Sequence, residues 1–365
     1  MSRARTSYVA LSGGIGGAKL SLGLAELFTS STRHPDRNPR QVPDSLGCAS
    51  ASGMTGGSAG MTGEELTIIA NTGDDFEHLG LAISPDVDTT LYTLAGVVNP
   101  QTGWGRRDET WSFMQAIEGL GGPAWFKLGD RDIATHVERT RRLRAGETLT
   151  AVTAHLAARL GIAASVLPMS DEPVRTVVES DAGVLAFQEY FVREQCRPAV
   201  RRIRYEGAEA AAPTRQVLDA LSAPGLAGVI ICPSNPWLSI DPILAVPGLR
   251  EALRASGAPV VAVSPIIAGK AVKGPTAKIM AELGLAPGAA GIARHYAGLI
   301  DGFVLDTHDE ALAPEIGVPT SVTNTIMRTL DDKVALARHC LSFCRELAVH
   351  SRRADARRRT VGGLA

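Results

Sequence analysis

At 365 residues, 45% of them hydrophobic, the chain has the length and apolar content to bury one large core or two smaller ones. Its formal charge of −1 excludes the broad basic footprint of a nucleic-acid or membrane-surface binder, and it offers neither a signal-peptide core nor an apolar run of bilayer-spanning length. Five cysteines, an odd number without a CxxC pair, argue against a disulfide framework or a zinc site and make the cytoplasm the expected compartment.

The first element is the apolar run Tyr8-Val9-Ala10-Leu11, which ends in Ser12-Gly13-Gly14-Ile15-Gly16-Gly17. Leu20, Leu22, Leu24, Ala25, Leu27 and Phe28 then fit an amphipathic helix. A strand, a glycine turn and a helix in that order expose backbone N–H groups where a phosphate oxygen can approach. The spacing matches neither a P-loop nor a full GxGxxG, since Lys19 stands where the third glycine would be, so a phosphate cradle and a tight structural turn are both open. Residues 30–64, rich in Ser, Gly, Pro, Arg and Asp, read as an inserted mobile loop that carries Cys48.

A second strand, over 66–70, delivers Asn71-Thr72-Gly73-Asp74-Asp75 to its carboxyl end, the edge where open α/β sheets bind ligands. One of the two aspartates is equally suited to N-cap a helix. Ser84-Pro85-Asp86-Val87-Asp88-Thr89 follows, so four carboxylates fall in two neighbouring turns. That pattern suits a divalent cation beside a phosphorylated substrate.

Helical periodicity marks 107–117, 130–143 and 149–160. Trp104 and Trp125 flank glycines and charges, a composition suited to holding a flat polar ring, while Asp108 and Asp130 read as helix caps. The run Arg139 to Arg144 reads as one face of a helix, with an anionic ligand as the lesser alternative. Residues 165–206 read as a strand-rich meander. Gly228 to Cys232 and Val260 to Val263 are continuous apolar runs of the kind buried on both faces. Their ends, Pro233-Ser234-Asn235-Pro236 and Ser264-Pro265-Ile266-Ile267, suggest a nucleotide pocket, with Lys270, Lys273 and Lys278 as phosphate contacts or solvated lysines. Strands at 302–305 and near Thr320, a closing helix over 331–348 and a basic tail over 349–365, solvated or disordered, complete the chain. The expected fold is α/β in one domain. A Rossmann-like, mostly parallel sheet core (7–90 and 225–345) is interrupted by a helical and β insertion (91–224).

Seven motifs, taken in order, carry a family resemblance. The glycine turn at 12–17, Asn71-Thr72-Gly73-Asp74-Asp75, Ser84-Pro85-Asp86-Val87-Asp88-Thr89, Leu128-Gly129-Asp130-Arg131-Asp132-Ile133-Ala134-Thr135-His136, Leu167-Pro168-Met169-Ser170-Asp171, Pro233-Ser234-Asn235-Pro236 and Ser264-Pro265-Ile266-Ile267 resemble the 2-phospho-L-lactate transferase family of deazaflavin coenzyme F-420 biosynthesis. The likeness runs from about residue 7 to residue 345, and only the 30–64 insertion and the basic tail depart from the family's compact pattern.

The resemblance implies transfer of a phosphorylated carboxylic-acid unit from a guanosine diphosphate-linked donor to the deazaflavin precursor Fo, with release of GMP and a requirement for Mg²⁺. The acid unit is phospholactate, phosphoenolpyruvate or phosphoglycerate. It implies that Asp88 and Lys127 contact Fo, with Trp104 beside its ring, and that Asp75 and Asp88 are the catalytic carboxylates. Asp74, Asp75 and Asp88 are the implied metal ligands. Gly13, Gly14, Gly16, Gly17, Lys19, Asn71, Ser234 and Asn235 are expected to face the donor nucleotide. Asp88 is open as ligand, base or orienting acceptor. A cytoplasmic homodimer is expected.

Two rivals share some features. Nucleotide-sugar-binding regulators of the same fold also begin with a glycine loop, but would not be expected to carry both the Pro-Asp-x-Asp-Thr and the Gly-Asp-Arg-Asp motifs. A nicotinamide oxidoreductase would need the third glycine and an acidic residue after the second strand, where Asn71 stands instead.

Overall fold

The structure, a computed structural model, describes residues 5–30 and 64–362. The segment expected as a mobile loop, Cys48 included, lies outside these residues except at its two ends.

Seven strands form one parallel sheet: β1 (Thr6–Ser12), β2 (Glu64–Ala70), β3 (Ser165–Pro168), β4 (Leu226–Ile231), β5 (Val260–Val263), β6 (Gly302–Asp306) and β7 (Thr320–Thr323). Their hydrogen-bonded order is β3-β2-β1-β4-β5-β6-β7. The order reverses between β1 and β4, where connections leave in opposite directions and open a crevice at the strands' carboxyl ends.

The apolar runs are continuous because each strand feeds two cores. Side chains alternate across a pleated strand, so Val9 and Leu11 of β1 join Val229 and Ile231 of β4 on one face of the sheet. Tyr8, Ala10 and Ile230 join a second layer on the other face. Helices α1 (Gly14–Ser30) and α2 (Pro85–Leu94) cover that second face through Leu20, Leu24, Val87 and Leu91, together with the closing helix Leu330–Gly362. Cys340 and Cys344 of the closing helix are core residues, as their spacing suggested.

Three departures from the expected layout have local causes. Ser165–Pro168 leaves the meander and pairs with β2 in parallel, Thr67 opposite Ser165, so the 91–224 insertion is crossed by a core strand. Arg175–Ser180, Gly183–Ala186 and Val200–Glu206 form the meander itself. The closing helix runs past residue 348 to Gly362, and the basic tail continues it rather than leaving it. Asp74 and Asp75 enter a hairpin, Phe76–His78 with Leu81–Ile83, instead of capping a helix. Its turn takes positive φ at Leu79 and Gly80, the geometry of a tight two-residue hairpin.

Candidate active site

A cavity of about 870 Å³ opens along the carboxyl edge of the sheet, at the switch point. Gly13, Gly14, Gly16, Lys19, Asp74, Asp88, Trp104, Lys127, Ser234 and Asn235 line it. Gly17, Asn71 and Asp75 stand behind its wall.

The glycine turn is shaped first by packing. Helix α1 begins at Gly14, which takes φ +62°. A Cβ on Gly16 would fall 2.0 Å from the Pro233 carbonyl oxygen, one on Gly13 2.5 Å from Ser239 Cβ, and one on Gly17 2.6 Å from Ser12 Oγ. These glycines let the β1–α1 turn lie against the loop after β4, and Ser234 Oγ locks the pair by donating to the Gly13 carbonyl at 2.7 Å. Asn235 caps the turn that follows, accepting from the Trp237 and Leu238 amides while its Nδ2 donates to Thr276 Oγ1 at 3.1 Å. The Gly14 amide at the head of α1 already has an anion, Asp86 Oδ1 at 2.7 Å.

Cations gather on one side. Lys19 Nζ donates to the Met327 carbonyl at 2.9 Å, and Lys273 Nζ to the Thr102 carbonyl at 3.0 Å. Burial, then the charges of Lys273 and Lys333, push the Lys19 ammonium below its ordinary pKa. Lys278, by contrast, is bound to Glu282 at 2.6 Å.

The carboxylates lie in the floor. Asn71 Nδ2 donates to Asp86 Oδ2 at 2.9 Å and, more weakly, to Asp74 Oδ1 at 3.4 Å, which brings the two acids together around one amide. Burial, then the neighbouring charges of Asp86 and Asp75, raises the Asp74 carboxyl well above its ordinary value. Burial likewise raises Asp86 to about 6 despite the Asn71 and Gly14 hydrogen bonds. Asp75 turns away: Oδ2 accepts from Ser84 Oγ at 2.8 Å, and Oδ1 is buried without a partner. Among the described residues no three His, Cys, Asp or Glu side chains gather as a metal cage. Mg²⁺ does not need one, since one or two carboxylates with waters and substrate phosphates complete its octahedron. The adjacent Asp74 and Asp86, two carboxyls whose ionisation the low-dielectric floor opposes until a cation joins them, are a donor set that fits such an ion.

Burial raises Asp75 to about 7, against the lowering charge of Arg175 and the Ser84 hydrogen bond, from an ordinary 3.8. The folded chain therefore keeps a proton between about pH 4 and pH 7 that the unfolded chain releases, and stability falls as pH rises through that window. Asp75→Asn, which resembles the protonated acid, removes this slope. Urea unfolding in chelator is expected to show variant and wild type alike in acid and the variant more stable by over ~1 kcal/mol above pH 7; parallel pH profiles would contradict the assignment.

Asp88 faces the opposite way from Asp86. Beyond helix α3 (Ser112–Gly119) in the chain it meets helix α4 (Asp130–Arg144), where Arg139, with no exposed surface, donates to both of its oxygens, Nη1 to Oδ2 at 3.0 Å and Nη2 to Oδ1. Arg139 is thus a buried counter-ion and not part of a solvated face. Of the neighbouring arginines, Arg141 is exposed and Arg142 half-buried, both reaching Glu138.

The remaining wall is aromatic. Phe187 and Phe191 stack at 5.3 Å and line the cavity with Phe126 and the half-exposed Trp104. Lys127 is exposed beside them and makes no hydrogen bond or ion pair with the described residues. Trp125 belongs instead to a cluster with Phe76, His78 and Phe126, under Arg193 at 4.7 Å. Asp130 is a cap, but of the neighbouring helix Ser112–Gly119, accepting from the Ser112 and Phe113 amides at 3.1 Å. Glu109 returns the favour at the head of α4, taking the Arg131 and Asp132 amides. Among the described residues Asp108 caps no helix, and its contact is with Arg107 at 3.8 Å.

Comparison with known proteins bears on this site. The family model described as 2-phospho-L-lactate transferase CofD matches residues 8–327. A phosphoenolpyruvate transferase of Streptomyces griseus is 40% identical over 349 residues, covering 93% of this chain and 98% of that protein. A 2-phospho-L-lactate transferase of Methanocaldococcus jannaschii is 38% identical over 288 residues, 78% of this chain and 91% of that protein. The crystal structure of a upf0052 family protein from Bacillus halodurans superposes with a TM-score of 0.56 at 14% identity, covering 93% of this chain and 99% of that one, which shows a shared fold. The family match runs from β1 to Met327 at the cavity rim and takes in every motif of the site, so the chain belongs to the 2-phospho-L-lactate transferase CofD family.

Proposed function

We propose that the protein transfers a phosphoenolpyruvate unit from a guanosine diphosphate-linked donor to Fo, releasing GMP, in coenzyme F-420 biosynthesis. The observation that carries this reading is a cavity with an aromatic and lysine wall, a carboxylate floor and a second group of lysines, all at the switch point of a chain in this family. Phosphoenolpyruvate is preferred to phospholactate because the Streptomyces griseus relative aligns over the larger share of the chain.

In this reading the Fo hydroxyl oxygen bonds to the phosphorus bearing the acid, the bond from that phosphorus to the bridging oxygen of GMP breaks, and the hydroxyl proton goes to solvent. Asp74 and Asp86 would hold Mg²⁺, which when bound neutralises charge on the transferring and leaving phosphates. Lys19 and Lys273 supply positive charge to the donor's phosphates. Asp88, held by both Nη atoms of Arg139, accepts the hydroxyl's hydrogen bond, its direction fixed by the guanidinium, which favours an orienting role. Phe126, Phe187, Phe191 and Trp104 offer flat faces for the deazaflavin. The enzyme is proposed to act in the cytoplasm as a homodimer. Among the described residues no helix is long and apolar enough to cross a membrane.

Lys127 tests the acceptor half. Its ammonium, placed to donate to the Fo ring, would contribute one charge-assisted hydrogen bond of ~1.5–3 kcal/mol. Lys127→Ala is expected to raise the KM for Fo by the order of tenfold to a hundredfold and leave guanine-nucleotide affinity unchanged. Steady-state kinetics with calorimetry of both ligands reads this, and an unchanged KM for Fo would remove Lys127 from the acceptor site.

A further inference from the structure

The Asp88–Arg139 pair is one end of a longer buried chain. Helix α2 turns Asp88 and Tyr92, one turn apart, toward α4, and α4 turns Asp132, His136 and Arg139 toward them. Tyr92 Oη donates to Asp132 Oδ1 at 2.7 Å. His136 Nε2 lies 3.3 Å from the same oxygen, and Arg139 Nη1 lies 3.1 Å from His136 Nδ1. All five side chains are buried, and all but Arg139 reach the cavity wall.

Proton inventory fixes the direction of every link. A guanidinium carries only donors, so His136 Nδ1 facing Arg139 must present its lone pair. The ring's proton then sits on Nε2, on the side of Asp132 Oδ1, which lies within ion-pair range at 3.3 Å although the contact does not have hydrogen-bond geometry. Asp132 thus selects the tautomer, the tautomer supplies an acceptor to Nη1, and that acceptor fixes the plane of the guanidinium that grips Asp88.

We infer that Asp132 and His136 are positioning residues which act through Arg139 to set the direction in which Asp88 presents its carboxylate to the acceptor hydroxyl. The inference rests on the proposed role of Asp88. A group that acts only by orienting affects kcat more than substrate affinity, because misplacing a reacting contact by a fraction of an ångström is felt in the transition state.

The test has two arms on the full-length protein. In the first, ¹⁵N-histidine spectra are recorded without substrate. The expected result is a neutral His136 with its proton on Nε2 in the wild type, and loss of that single tautomer in Asp132→Asn. A protonated ring or an Nδ1–H tautomer in the wild type would overturn the inference. In the second arm, Asp132→Asn and His136→Phe are each expected to lower kcat roughly tenfold to a hundredfold with the KM of the guanosine donor unchanged. Combined, they should lose no more than the worse of the two, since both cut one line of action. His136→Asn, which keeps an acceptor near the place of Nδ1, should recover most of the rate. Additive losses, or a fall in melting temperature with kcat intact, would show a structural role only. If the wild type transfers nothing to Fo, the proposed reaction fails, and the histidine spectra still decide whether the chain of contacts is set as described.

Discussion

Arg139→Met is expected to destabilise the protein by about 3–5 kcal/mol, the usual cost of removing one partner from a buried ion pair. The reason is the group left behind. Asp88 would keep a carboxylate in the protein interior, 51 residues away in sequence from the guanidinium that grips both its oxygens, and nothing else on α4 reaches it closely except His136 at 3.6 Å. Because the penalty belongs to the unpaired charge, the double variant Arg139→Met/Asp88→Asn should lose less than the sum of the two single changes. Urea unfolding of the four proteins gives the coupling. A loss under ~1 kcal/mol for Arg139→Met would mean that water or another group satisfies Asp88.

Gly16→Ala is expected to damage the donor side. Its Cβ would fall 2.0 Å from a backbone oxygen, that of Pro233, which cannot rotate aside as a side chain could. The start of α1 must then part from the loop after β4, breaking the Ser234 contact with Gly13 that holds the cavity wall together. Overpacking of this kind costs ~1–3 kcal/mol, and a displaced turn should raise the KM of the guanosine donor more than tenfold, as ~1.4 kcal/mol of lost binding would. Gly119→Ala is the control, since nothing lies within 4 Å of a Cβ there. Equal behaviour of the two variants in thermal melts and donor titration would show that the turn has slack.

Particular residues show what could be read in advance. Strands β1, β2, β4 and β5 were legible because a strand buried on both faces must be apolar without interruption. Short β3 was not. Its four residues carry too little pattern to separate them from the meander next door, and only pairing with β2 places them. The acidic turns and the loops after β4 and β5 were legible as a site because they end strands at the same edge of the sheet. Which way each acid turns was not. Asp86 and Asp88 are two apart on α2, and helical geometry sends the first to Gly14 and Asn71 and the second to Arg139. Arg139 itself was hidden in a run of arginines, where the exposed Arg141 and Arg144 give no hint that one member faces inward. Phe187 and Phe191 gave no signal, because a meander shows alternation but not what its aromatic residues face across the cavity.

The most direct measurement of the central claim is product analysis by mass spectrometry. The protein is incubated with Fo, Mg²⁺ and guanosine diphosphate-linked donors carrying enolpyruvate or lactate, and GMP is quantified alongside the modified deazaflavin. The account predicts GMP and phosphoenolpyruvyl-Fo in equal amounts, faster than the lactyl product, with both abolished by chelator and strongly reduced in a folded Asp88→Asn variant. Tight binding of a sugar nucleotide, with no GMP released and no mass added to Fo, would contradict it.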